Sequence, residues 1–110
     1  MKLAVVFLNK IEYLEDILSA YLEIGVSGAS VIDSEGMGHI ISHNIPIFAG
    51  LRDAFAGSSP GNKIILSVVE DKMIDKIAEV IEDICPDTGE FSSGLLISVS
   101  VDKLYSIKQI

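Results

Sequence analysis

Two hydrophobic periods alternate along this chain. Residues 3–8, Leu-Ala-Val-Val-Phe-Leu, form an unbroken apolar run rich in strand formers, and it stops at Asn9 where a helical period begins. The pattern predicts a strand feeding a helix. Asn9 is placed to cap that helix, with Glu12 as its capping-box partner and Leu8 and Tyr13 where a hydrophobic staple would stand. Ile11, Leu14, Ile17, Leu18, Tyr21 and Leu22 recur on one face, with Glu12, Glu15, Asp16, Ser19 and Glu23 on the other. Gly25 supplies the stop. Residues 28–33 then read as a second strand, after which Gly36-Met37-Gly38 breaks the pattern as a turn.

The second half repeats the first. Residues 63–69 have the character of the opening strand and run into Asp71, a candidate cap for a helix whose apolar side is Met73, Ile74, Ile77, Val80, Ile81 and Ile84. Pro86 disfavours helix at Cys85 and ends it there. Residues 94–101 alternate, with Leu95, Ile97, Val99 and Val101 on one face and Ser98 and Ser100 on the other, as in a sheet covered on one side. Strand, helix, strand, twice, with no low-complexity linker, predicts one α+β domain over 1–110: a ferredoxin-like split βαβ (βαββαβ) sandwich. Its four-stranded antiparallel sheet carries two helices on one face. The other face is expected to carry apolar side chains from Ala4, Val6, Leu8, Ile65 and Leu96 or their neighbours, and nothing in the chain is left to cover it. A second subunit is the economical cover.

Composition sharpens that expectation. Hydrophobic residues make up 49% of the chain before its 9 glycines are counted, against a usual ~45–50% that already includes glycine. The net charge of −8, from 16 acids and 8 bases, repels nucleic acid and anionic membrane, and no basic cluster offsets it. Cys85, the single cysteine, cannot form an internal disulfide, and the Met1 end lacks signal-peptide architecture, so a cytoplasmic setting is expected. The longest apolar run is far short of the ~20 residues that span a bilayer.

With the elements in this order, the punctuation between them resembles the nitrogen-regulatory PII signalling family, and the likeness covers nearly the whole chain. The passage EIGVSGASVIDSEGMG, ending in Gly36-x-Gly38, looks like the second strand and the glycine turn at the base of that family's T-loop. The segment at about 37–62, with IFAG inside it, has the length of such a loop, and DTGEFSSGLLISV resembles the B-loop and last strand. The resemblance implies a homotrimer that holds an adenine nucleotide in clefts between subunits and signals to a target protein through the loop. Gly36, Gly38, Thr88, Gly89 and Gly94 match the ligand-binding positions, and Lys63 and Lys108 are the bases available to an anionic group. Phe48, Arg52 and Phe55 lie where the loop would meet its partner. Several charges differ. Glu90 follows the Thr-Gly pair where a basic residue is usual, Leu95 replaces a lysine and Ser106 an arginine, and no tyrosine lies in the loop for nucleotidylylation. The chain is therefore similar to a divergent member, with AMP or ADP expected ahead of ATP.

Other candidate chemistry is thin. His39 and His43 have a metal-ligand spacing only on a helix, and their glycine-rich lead-in argues for extended chain, which would set them ~13 Å apart; no metal is expected. Asp71, Asp75, Glu79 and Asp83 read as a solvated helix face, and Cys85 as a buried inert thiol. Residues 46–55 place Phe48, Leu51 and Phe55 on one face of a short helix, either a recognition element or a cap on the core. No nucleophile stands beside a base, so no catalytic residue is assigned and a non-enzyme is expected. A trimeric sensor of a small-molecule effector leads. The alternatives are a non-sensing trimeric adaptor or scaffold and an ACT-like amino-acid-binding module.

Overall fold

The computed structural model describes residues 1–44, 61–85 and 93–107. Its elements are β1 (Lys2–Leu8), a 3-10 turn (Ile11–Tyr13), α1 (Leu14–Ile24), β2 (Ser30–Ser34), α2 (Met37–Asn44), β3 (Asn62–Val69), α3 (Met73–Ile84) and β4 (Gly94–Ser100). The strands form one sheet in the order β2-β3-β1-β4, and every neighbouring pair is antiparallel. β1 and β2 therefore run parallel with β3 between them, which is the split βαβ arrangement. The expected ferredoxin-like α+β sandwich is the fold, with α1 against α3 and both contributing to a core on one face of the sheet.

Strand alternation divides β1 between two faces. Ala4, Val6 and Leu8 are buried at 0–2% exposure and share their face with Ile65, Ser67 and Val69 of β3. Ile17 and Tyr21 of α1 and Ile77 of α3 close that core, with Leu14, Leu18, Met73, Ile74, Ile81 and Leu96 partly buried around it. At ~25 cal/mol per Å² of apolar surface this burial is the main stabilising term. α1 ends at Gly25, whose φ of 100° suits glycine, and the Val26 N–H donates to the Tyr21 carbonyl at 2.7 Å in a Schellman-type closure.

The opposite face is apolar and open. Leu3, Val5 and Phe7 stand beside Val68, Leu66 and Ile64 on one side and Val99, Ile97 and Leu95 on the other, and Ile32 pairs with Ile64. Ile32, Val68, Leu95, Ile97 and Val99 remain 42–62% exposed. An apolar second face was expected, but its membership differs. Ala4, Val6, Leu8, Ile65 and Leu96 lie on the helix side, and their neighbours make the open face. The apolar alternation of β4 likewise faces away from the helices, because Leu96 alone of its large apolar residues points to the core.

Element ends differ too. The cap position of α1 is Tyr13 and not Asn9, and the Asn9 backbone N–H donates to the Ser93 carbonyl at 2.7 Å, extending the β1–β4 contact by one residue. The 3-10 turn intervenes, and no side chain caps either helical segment. Ile11 and Leu22 are exposed, whereas Ile24 and Val26 join the core. Asp71 does not cap α3, which starts after Lys72. Its carboxylate lies 2.9 Å from the Met1 ammonium, which holds the Asp71 carboxyl below its usual range by hydrogen bond and charge. Gly36-Met37-Gly38 is no turn but the start of α2, with the Ile40 N–H donating to the Gly36 carbonyl. Residues 46–55 lie outside the described residues.

Two hydroxyls in the core, Tyr21 Oη and Ser67 Oγ, have no hydrogen-bond partner among the described residues. Leaving such a group dry costs about 1–3 kcal/mol. Tyr21→Phe and Ser67→Ala should therefore hold or raise stability by about 1 kcal/mol in urea unfolding. Burial also pushes the Tyr21 phenol up to about 12, above an unfolded value near ~10. A group raised in the folded state contributes its full share below the unfolded pKa and loses it as pH rises through the folded one. Stability should fall between pH ~10 and about 12, and Tyr21→Phe should flatten that limb. The chain has no Trp, so the tyrosinate absorbance step that Tyr21→Phe removes identifies Tyr21.

Candidate functional site

One end of the sheet gathers most of the residues singled out from the sequence. The registers align Asp33 of β2 with Lys63 of β3, Lys63 with Leu8 of β1, and Leu8 with Gly94 of β4. Lys63 and Gly94 thus flank Leu8, two strand spacings or ~9–10 Å apart. Just beyond this row, Ser34 pairs with Asn62, and the Asn62 amide is 3.4 Å from where a side chain on Gly36 would begin. Gly36 and Gly38 open α2 at the same end. Four candidate ligand residues therefore lie at the same end of the sheet, Gly36 and Gly38 beside Lys63 at the β2 edge and Gly94 on the opposite edge strand.

Charge at this end is already partly spent. The Lys63 ammonium donates to the Asp33 carboxylate across the strand pair, so an incoming anion must compete with Asp33 for it. His39 Nε2 lies 3.7 Å from the Glu35 carboxylate one helical turn back. His39 and His43 share α2, contrary to the extended backbone expected for them, because the glycines start a helix and do not interrupt one. The His43 side chain lies outside the described residues. Among the described residues no group of His, Cys, Asp and Glu is large enough to hold a metal ion.

Gly94 has a packing role. A Cβ there would collide with the Phe7 carbonyl oxygen and lie 3.0 Å from the Phe7 carbonyl carbon and 3.3 Å from Leu8 Cα. β4 can lie this close to β1 only without a side chain at that position. On the helix side of the same end, Val6, Leu8, Ile81, Cys85, Gly94 and Leu96 line a cleft of about 330 Å³, with Glu82 at its edge. That volume is in the range of small-molecule pockets, and the lining is largely apolar. Burial pushes the Cys85 thiol up, which suppresses the thiolate and makes the residue a poor nucleophile.

No protein-family model matches the chain, and no curated protein matches it at a significant level. Thr88, Gly89, Glu90, Phe48, Arg52, Phe55 and Lys108 lie outside the described residues. The C-terminal residues 101–107 leave from the far end of the sheet, where the Val101 N–H donates to the Met1 carbonyl. Among the described residues no helix is long and apolar enough to cross a membrane. Asn62 and the Asp33–Lys63 pair escaped notice in the sequence, although an acid closing one strand and a base opening the next is a cross-strand pair in waiting.

Gly94→Ala should destabilise the fold by about 1–3 kcal/mol through overpacking against β1, read as a lowered urea midpoint with an unchanged slope. The Asp33–Lys63 pair is largely exposed on the Asp33 side, so a double-mutant cycle should return only ~0.2–1 kcal/mol of coupling.

Proposed function

We propose that this chain is a divergent PII-like regulatory protein, a homotrimeric sensor that binds a small metabolite in clefts between subunits and signals to a target protein through the segment at about 37–62. The observation that carries this reading is that Gly36, Gly38 and Lys63 lie together at one end of a ferredoxin-like sheet, where α2 follows β2 beside the start of β3. The open apolar face supports self-association, since Ile32, Val68, Leu95, Ile97 and Val99 form a contiguous exposed patch. Backbone N–H groups of the first turn of α2 are a place for a negative group, and Lys63 stands near them. The ligand class is an adenine nucleotide, and the setting is the cytoplasm.

The paired state of Lys63 favours the smaller anions. Each added phosphate brings charge without a new fixed partner, because Asp33 holds Lys63 and position 95 is leucine. Affinity should fall or stay level from AMP to ADP to ATP in calorimetry with Mg²⁺. Micromolar ATP binding that beats AMP would overturn this order. The same Asp33–Lys63 pair favours a second reading, a non-sensing trimeric adaptor, in which the cation is structural. A thermal-shift panel of nucleotides, nucleosides, amino acids and bicarbonate separates the two. A sensor gains about 2.7 kcal/mol at a hundredfold excess over the dissociation constant. An adaptor responds to nothing, and an ACT-like module responds to amino acids alone. Analytical ultracentrifugation should show a trimer, and a stable monomer at micromolar concentration would remove the reading.

A further inference from the structure

β4 is an edge strand of the sheet, and two hydrogen bonds fix which way its backbone groups point. The Asn9 N–H donates to the Ser93 carbonyl and the Val101 N–H to the Met1 carbonyl, so the odd-numbered residues of β4 turn N–H and C=O toward β1. The outward groups belong to the even-numbered residues. Those of Leu96, Ser98 and Ser100 meet no strand among the described residues. Proteins guard such an edge with lysine, proline or a bulge. β4 has none of these: Gly94–Ser100 carries no charge and no proline, and it pairs with β1 residue for residue. The other edge strand, β2, is shorter and holds Asp33.

We infer that β4 pairs with β4 of a second copy, antiparallel about a two-fold axis at Ile97. Only this register overlaps all seven residues of the strand. It makes Leu96 with Ser98, and Gly94 with Ser100, hydrogen-bonded pairs, so outward groups meet outward groups; on the open face it sets Leu95 against Val99 and Ile97 against its own counterpart. Charge fits the same inversion. At the Ser100 end, Met1 with Asp71 and Lys72 with Glu70 form ion pairs, and Asp75 with Lys76 and Asp102 with Lys103 are adjacent opposites. That leaves Lys2, whose ammonium donates to Ser100 Oγ at 2.9 Å. At the Gly94 end, Lys10 and Glu12 offset each other near Cys85. The last turn of α3 there has Glu82 and Asp83 with no base, and Glu82 faces the same cleft as Gly94 and Leu96. Antiparallel pairing lays the Lys2 end of each copy against the Glu82 end of the other, an attraction between chains that each carry a net charge of −8. The contact is isologous and closes at two chains. It uses the edge and not the open face, so it goes beyond the trimer proposed above and does not rest on it.

Disulfide trapping tests the register. With Cys85→Ser removing the native thiol, Ile97→Cys places a thiol in the non-hydrogen-bonded pair on the axis, Cα atoms ~4.5 Å apart and within the ~4.4–6.8 Å that a disulfide spans. Diamide, which takes up the two protons and two electrons released as the bond forms, should give a reductant-sensitive product of two chain masses. Leu95→Cys in the same background should not link, because its counterpart lies four residues or ~13 Å away along the pair. Ser98→Lys, which guards the edge without touching the open face, should cut the Ile97→Cys yield at least tenfold at an unchanged urea midpoint. Lys2→Glu should lower the yield several-fold, and adding Glu82→Lys should restore it. Linking as strong at Leu95→Cys as at Ile97→Cys, a yield indifferent to Ser98→Lys, or a charge swap that restores nothing would overturn the edge pairing. Sedimentation of concentrated Cys85→Ser protein separates this contact from the open face. Two chains mean the edge alone and six mean both contacts, whereas three chains that never pair overturn the edge and leave the trimer, and single chains overturn both.

Discussion

β1 is the constraint on which everything else depends. Its seven residues pair along their whole length with β3 on one side and β4 on the other, so its side-chain alternation sets what both faces of the sheet can be. Because every residue from Leu3 to Leu8 is apolar, neither face is made for water. Ala4, Val6 and Leu8 are covered by α1 and α3, and Leu3, Val5 and Phe7 are left to an open face extended by β3 and β4. A one-residue slip of register would exchange the two sets without changing their chemistry. Gly94 favours the observed β1–β4 register, because a side chain opposite the Phe7 carbonyl would collide with it.

This is also where sequence patterns stop being decisive. The fold class, the four strands with α1 and α3, and the helix-ending role of Gly25 are legible because each rests on a local rule. Which face of a strand the helices take is not local. The apolar alternation of β4 is real, but it says that one face is apolar, not which layer covers it, and here the helices take the face with only Leu96. Helix starts fail for a related reason. Asp71 has a capping side chain, but an ion pair with Met1 uses it elsewhere, and beyond Asn9, whose backbone N–H is tied to Ser93, the chain forms a 3-10 turn before α1 begins. α2 was hidden by its glycines, each costing about 1 kcal/mol in helix propensity, which read as a turn when they begin a helix.

The candidate site shows the same division. Gly36, Gly38, Lys63 and Gly94 are named by spacing and resemblance, and register puts all four at one end of the sheet, with Gly94 on the opposite edge from the two α2 glycines. Their roles come from neighbours that spacing does not reveal. Lys63 is answered by Asp33, Gly36 sits against Asn62, and Gly94 is required by the β1 backbone. A glycine that serves packing cannot be told in sequence from one that serves a phosphate, because both uses need only the absence of a side chain.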